Sequence, residues 1–205
     1  LLYMWQIEDT IRAFDCSLTR IKREYVERFD YSEEQKEEEV DWFGNLIRMM
    51  NQEGCRQQGH LQINKNVLIL LTDLHVQLLR SSKHPFYSAA YYKALPFIVG
   101  LRRKEAEAAM EAPGKRRSEG EGKRGNRLTQ GRDEGEGRSG RTALHSGEEK
   151  GEIENGFEAL YGVMMLRLQK KEISAETSAA VGSIARWIGM LSEYEKQEKK
   201  GEVEF

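Results

Sequence analysis

The chain has 205 residues, a net charge of −2, 32% charged residues and 39% apolar residues. That length suits one domain or two small ones, and the near-neutral balance sets up no global field for nucleic acid or an anionic membrane. In its most apolar stretch the longest unbroken apolar run is Val67–Leu71, far short of the ~20 residues of a bilayer span.

The chain opens on LLYMW, already in a helical pattern, as expected of a trimmed start. Met4, Ile7, Ile11 and Phe14 recur at helical spacing and predict a first helix from Leu1 to about Phe14. Glu8 and Arg12 share its apolar arc at i,i+4, which predicts a partly buried ion pair within that helix. Asp15 and Ser17 offer cap oxygens for a charged second helix from Leu18 to about Phe29. Ser32-Glu33-Glu34-Gln35 is a capping-box pattern for a third helix. The acidic run Glu33–Glu39 then occupies its first turns, where the helix dipole favours negative charge. Gly54 marks its end.

The stretch His60–Arg80 organises the rest. At ~100° per residue, Leu61, Ile63, Val67, Leu68, Leu70, Leu71, Leu74, Leu78 and Leu79 cover about half of the circumference, and Ile69 and Val76 add apolar surface opposite. Such a helix is expected to be enclosed by others. Asn64 and His75 interrupt the arc, and a buried amide or imidazole needs a hydrogen-bond partner or costs roughly 1–3 kcal/mol. They lie about 16 Å apart along a helix, so they cannot share one small site. Pro85 opens the next helix, where Tyr87, Ala90, Tyr91, Ala94, Ile98 and Leu101 form the buried face. Its tyrosine hydroxyls are candidates to reach Asn64 or His75. Pro96 predicts a kink or break near Tyr92–Ala94.

Residues 113–150 are compositionally different, with nine Gly, ten Lys or Arg and seven Asp or Glu against three apolar residues. Such a segment buries too little surface to offset its ordering entropy, and a disordered insertion is expected. Its mixed charge signs and lack of aromatic residues make nucleic-acid binding the weakest functional alternative. Helical periodicity returns at about Glu152, with Ile153, Phe157, Leu160, Tyr161, Met164 and Leu168 as the stripe and Arg167 at its edge. Ser174 caps a last helix carrying Ala180, Ile184, Trp187, Leu191 and Tyr194.

The expected fold is all-α: a single bundle of six or seven helices around a central apolar helix at about 60–80. Residues 1–112 form its first part, 113–150 an insertion, and 151–205 its last two helices. The phosphate-loop pattern GxxxxGK[ST] is missing, and no GxGxxG follows a strand. A di-iron bundle would need Glu-x-x-His pairs, but Gln57, Thr72, Ser81 and Thr142 stand three residues before the histidines. Neither HExxH nor zinc-type spacing occurs, so no metal and no cofactor is expected. Cys16 and Cys55, without CxxC or a secretory signal, fit reduced thiols in a cytoplasm.

What remains is a scatter of polar groups on apolar faces: Glu8, Arg12, Asn64, His75, Tyr91, Arg102 and Arg167. Converging, they would form a pocket for a small anion or an acid/base pair such as Glu8 with His75; otherwise they satisfy one another and set helix register. No spacing ties them to a known mechanism. The segments LYMWQIEDTIRA (2–13), GHLQINKNVL (59–68), SAAYYKALPFI (88–98) and LYGVMMLRLQKKEIS (160–174) resemble an uncharacterised all-helical bacterial family, a domain of unknown function seen mainly in anaerobic gut-type bacteria. The resemblance covers about residues 1–104 and 152–205. It implies helical sequence upstream of Leu1 and an insert longer than usual, and it implies no activity, cofactor or catalytic residue. The leading functional expectation is therefore a small cytoplasmic, non-enzymatic protein acting through protein contacts, as a homodimer or with another partner. A ligand-binding protein or enzyme with a pocket near Glu8, Arg12, His75 and Tyr91 is the alternative.

Overall fold

The computed structural model describes residues 1–111 and 151–205, with backbone alone for 104–111. The expected insertion at 113–150 lies outside the described residues. Seven α-helices and one 3-10 turn make up the described chain: α1 (Leu2–Ala13), α2 (Leu18–Glu24), the 3-10 turn Val26–Arg28, α3 (Glu33–Gln52), α4 (Gln62–Arg80), α5 (Pro85–Glu111), α6 (Glu152–Leu168) and α7 (Ala175–Lys199). The expected all-α bundle is what forms.

Local chemistry accounts for the helix starts. Ser32 Oγ accepts from the Gln35 backbone N–H at 3.2 Å, while the Ser32 N–H donates to Gln35 Oε1 at 3.1 Å. This is the reciprocal box expected from the sequence. Ser17 and Ser174 cap α2 and α7 by accepting from the N–H groups of Arg20 and Thr177. The predicted second helix is shorter than expected, because the chain tightens into the 3-10 turn before Phe29. Of the kink or break expected near Tyr92–Ala94, the break does not occur, and α5 runs uninterrupted past Pro96. Proline removes one backbone hydrogen bond, but Ala94 and Ile98, both fully buried on either side, hold the two halves in one packed face.

The buried residues form two clusters. Ile7, Ile11, Ile21, Val26, Phe43, Ile47, Met50 and Leu61 join α1, α2 and α3 with the start of α4. Trp5, Leu71, Leu74, Leu78, Tyr87, Ile98, Phe157, Ile184, Trp187 and Leu191 join α4, α5, α6 and α7. α1 belongs to both, through Trp5 on one side and Ile7 and Ile11 on the other. Gly156 sets the spacing of α6 on α7: an added Cβ would lie 3.1 Å from Trp187 and 3.2 Å from Ile188. Both neighbours are buried, so neither yields easily.

α4 packs on α5, α6 and α7, as a central helix should, yet it buries only one face. Asn64, Leu68, Leu71, Leu74, His75 and Leu78 are inside, whereas Ile63 is 54% and Leu70 64% exposed. Among the described residues no helix covers that outer stripe. The enclosure expected from composition is therefore one-sided.

Candidate functional site

The sequence singled out Glu8, Arg12, Asn64, His75, Tyr91 and Arg167, and the structure distributes them over three places. Glu8, on the inner side of α1, is fully buried. Its Oε1 accepts from the Leu61 backbone N–H at 3.0 Å and from the Asn64 side-chain amide at 2.7 Å. Its Oε2 accepts from His60 Nδ1 at 2.6 Å, and the His60 ring stacks on Trp5 at 4.2 Å. The carboxylate thus sits at the N-terminus of α4, where backbone N–H groups lack helical partners and the dipole favours negative charge.

Arg12 does not pair with Glu8. It binds Asp9 at 2.7 Å and donates to the backbone carbonyls of Cys55, at 3.1 Å, and Gly59. Glu8 is turned inward toward α4, leaving Asp9, one residue on and nearer solvent, as the reachable acid. Asp9 in turn accepts from the Tyr161 hydroxyl of α6 at 2.6 Å. Together Glu8 and Arg12 clamp both ends of the loop between α3 and α4. Both oxygens of Glu8 are taken and Arg12 is engaged, so the cluster holds a loop in place, although the buried Trp5 Nε1–H beside it has no hydrogen-bond partner among the described residues.

His75 lies eleven residues beyond Asn64, about 16 Å along α4, so the expected Glu8–His75 pair does not form. Its surroundings come from three other helices. Trp187 Nε1–H donates to the Tyr87 hydroxyl oxygen at 3.1 Å, and Tyr87 lies 2.6 Å from His75 Nδ1. Among the described residues the Tyr87 hydroxyl has no other acceptor for its proton, so it donates to Nδ1. His75 then carries its own proton on Nε2. That atom makes no hydrogen bond among the described residues; the nearest charged partner, Glu152 Oε2, is 3.9 Å away. The Tyr91 hydroxyl donates to the same Glu152 oxygen at 2.6 Å.

His75, Tyr91 and Glu152 form the floor of a groove of about 520 Å³, walled by Val76, Leu79 and Arg80 of α4, Arg102 of α5 and Ile153 of α6. The size lies within the range of small-molecule sites. Burial pushes the His75 imidazole below its ordinary pKa, and Glu152 opposes the shift. Burial likewise drives the Tyr87 hydroxyl far above the ordinary tyrosine range. Tyr91 rises in the same way, by burial first and then through its bond to Glu152. At neutral pH the floor is therefore a set of neutral, oriented groups beside one carboxylate.

A pH dependence of stability follows. As pH falls through about 6.5 the unfolded chain protonates at this histidine, whereas the folded chain resists until its lower pKa is reached. The unfolded state then binds more protons, so stability falls with pH across that window and levels off below it. The contribution is present above the unfolded pKa, with a slope of at most about 1.4 kcal/mol per pH unit. Urea titrations of wild type and His75→Gln between pH 7.5 and 5 measure it. Parallel pH profiles would show that His75 contributes nothing.

Arg167 stands apart, exposed at the end of α6. Tyr87 was legible as buried and aimed at a polar partner. Trp187, Glu152 and His60 were not. Trp187 read as part of the last helix's stripe, Glu152 as the point where helical periodicity returns and His60 as the head of the central stretch, and no local signal marked a polar role for any of them.

The groups of three or more His, Cys, Asp or Glu side chains that would hold a metal ion do not occur among the described residues. Nor is any described helix long and apolar enough to cross a membrane. The molecule is an all-helical bundle with a buried-histidine groove at the meeting of α4, α5 and α6. It belongs to the family described as Domain of unknown function (DUF4924), whose match spans residues 1–112 and 141–202. No curated protein and no solved structure matches the chain.

Proposed function

We propose that this is a small-molecule-binding protein of the bacterial cytoplasm and that the His75 groove is its binding site. The observation that carries this is the state of His75, 5% exposed, with one ring nitrogen held by Tyr87 and the other facing the groove, 3.9 Å from Glu152 Oε2. That Nε2–H makes no hydrogen bond among the described residues, and an acceptor entering the groove would give it one. Two free cysteines, one of them buried, support a reducing compartment, and the four motif segments support a bacterial source.

A second reading, protein–protein contact through the outer face of α4, is favoured by exposed Ile63, Val67 and Leu70 at helical spacing. Native mass spectrometry of the protein isolated from its own host separates the two. The binding reading expects an added small mass, absent from a Val76→Trp variant whose indole fills the groove. Val76 is partly exposed, so that variant keeps its core. A bare dimer from both proteins would favour the contact reading, and a bare monomer from both would overturn each.

A further inference from the structure

The groove's unspent polar groups, taken with the binding reading above on which this rests, narrow the class of molecule. Of the polar lining, the Thr72 hydroxyl is spent on the Leu68 carbonyl at 2.8 Å, the Tyr91 hydroxyl on Glu152, and Arg102 already has a partner. His75 Nε2–H remains as a donor, because Tyr87 holds Nδ1. The Glu152 carboxylate remains as an acceptor: such a group has about four lone-pair sites, of which Tyr91 occupies one. The two stand 3.9 Å apart on the floor, one offering a proton and the other accepting one. Arg80, exposed at the rim, holds no ion pair or hydrogen bond among the described residues, and its charge offsets that of Glu152. The groove therefore carries no excess charge with which to select an ion. Its other walls, Val76, Leu79 and Ile153, are apolar.

We propose that the groove binds a neutral molecule whose polar edge is a cyclic cis-amide, a carbonyl and an N–H side by side on one ring. The carbonyl accepts from His75 Nε2–H, the N–H donates to the Glu152 carboxylate, and the body of the ring lies along Val76, Leu79 and Ile153. An oxyanion on this floor would meet the Glu152 charge beside the histidine, and an ammonium would meet the imidazole N–H. An edge carrying both polarities meets neither conflict. A hydrogen bond to an ionised acceptor is about twice as strong as one between neutral groups, so the ligand's N–H contributes more to affinity than its carbonyl.

The test uses the full chain labelled with 15N and follows the ring nitrogens of His75 during titration with five probes. Caprolactam and uracil carry the proposed edge, N-methylcaprolactam keeps the carbonyl and loses the donor, and hexanoate and cyclohexylamine are an anion and a cation of similar size. A saturable shift at His75 Nε2 with caprolactam or uracil, with each of the other three binding about tenfold more weakly, supports the proposal. Whichever of the two binds better tells an aliphatic lactam from a base. N-methylation also adds bulk, so a second arm uses Glu152→Gln, which keeps an oxygen for Tyr91 and presents N–H donors where the acid accepted. Glu152 is partly exposed, so that variant keeps its core. In it the cis-amides should bind about tenfold more weakly than in wild type, and caprolactam no better than its N-methyl derivative. A preference for caprolactam that persists in the variant would overturn the proposal, as would tighter binding of hexanoate or cyclohexylamine by wild type. No shift with any probe would also overturn it; the host-derived mass measurement then decides the broader reading separately.

Discussion

Replacing Glu8 by alanine is expected to cost about 3–5 kcal/mol of folding stability, the range for removing one partner from a buried, hydrogen-bonded polar cluster. Three donors depend on this carboxylate: the Leu61 N–H, the Asn64 amide and His60 Nδ1. The Leu61 N–H and the Asn64 amide are buried beside the fully buried Glu8 and gain little water when it goes, whereas His60 is partly exposed. Glu8→Gln keeps an acceptor for the Leu61 N–H but loses the charge, and a smaller loss is expected. The damage should also be local. Cys55 lies in the clamped loop, its thiol donating to the His60 carbonyl and its own carbonyl held by Arg12. Thiol labelling of Cys55 should therefore speed up in Glu8→Ala before global unfolding begins. Urea unfolding gives the stability and a labelling time course gives the loop. A loss under about 1 kcal/mol would mean that the clamp is dispensable.

The second large effect is expected at Tyr87. Tyr87→Phe removes one hydroxyl and orphans two buried groups, Trp187 Nε1–H and His75 Nδ1. At roughly 1–3 kcal/mol for each unpaired group, a loss of about 2–6 kcal/mol follows. The variant also separates structure from function. With Nδ1 unpaired, the proton is free to occupy either ring nitrogen, and 15N spectra should show His75 passing from a single Nε2–H tautomer to a mixture. Tyr194 packs edge-on to Tyr87 at 5.7 Å and serves as the control; Tyr194→Phe should change stability by no more than about 0.5 kcal/mol. An unchanged tautomer in Tyr87→Phe would show that the groove, and not Tyr87, orients the imidazole.

The two clusters have different consequences for anyone seeking a ligand. The Glu8 cluster looks like a site when residues are read one by one, since it combines a buried acid, a histidine and an arginine. Every oxygen of Glu8 is nevertheless taken, and Arg12 is spent on carbonyls and Asp9. The His75 cluster is the reverse, with a satisfied interior and an open edge. Satisfaction of hydrogen bonds, more than residue type, separates a structural network from a binding surface.

How much of this was legible in the chain depends on the distance over which each interaction acts. The helices, the Ser32–Gln35 box and the Ser174 cap rest on contacts three or four residues apart, and the sequence displays those directly. The inward stripes of α5 and α7 are equally visible, because a period of 3.6 residues places them on one face whatever the partner. The partners were a different matter. Leu61 and Asn64 meet Glu8 across 53 and 56 positions, and Trp187 meets Tyr87 across 100. Which acid faces Arg12, which hydroxyl faces His75 and which side of α4 stays bare follow from how whole helices pack. Periodicity says which face turns inward; only the closed bundle says what that face finds there, since burial energy is non-directional while each hydrogen bond needs a particular partner within about 3 Å.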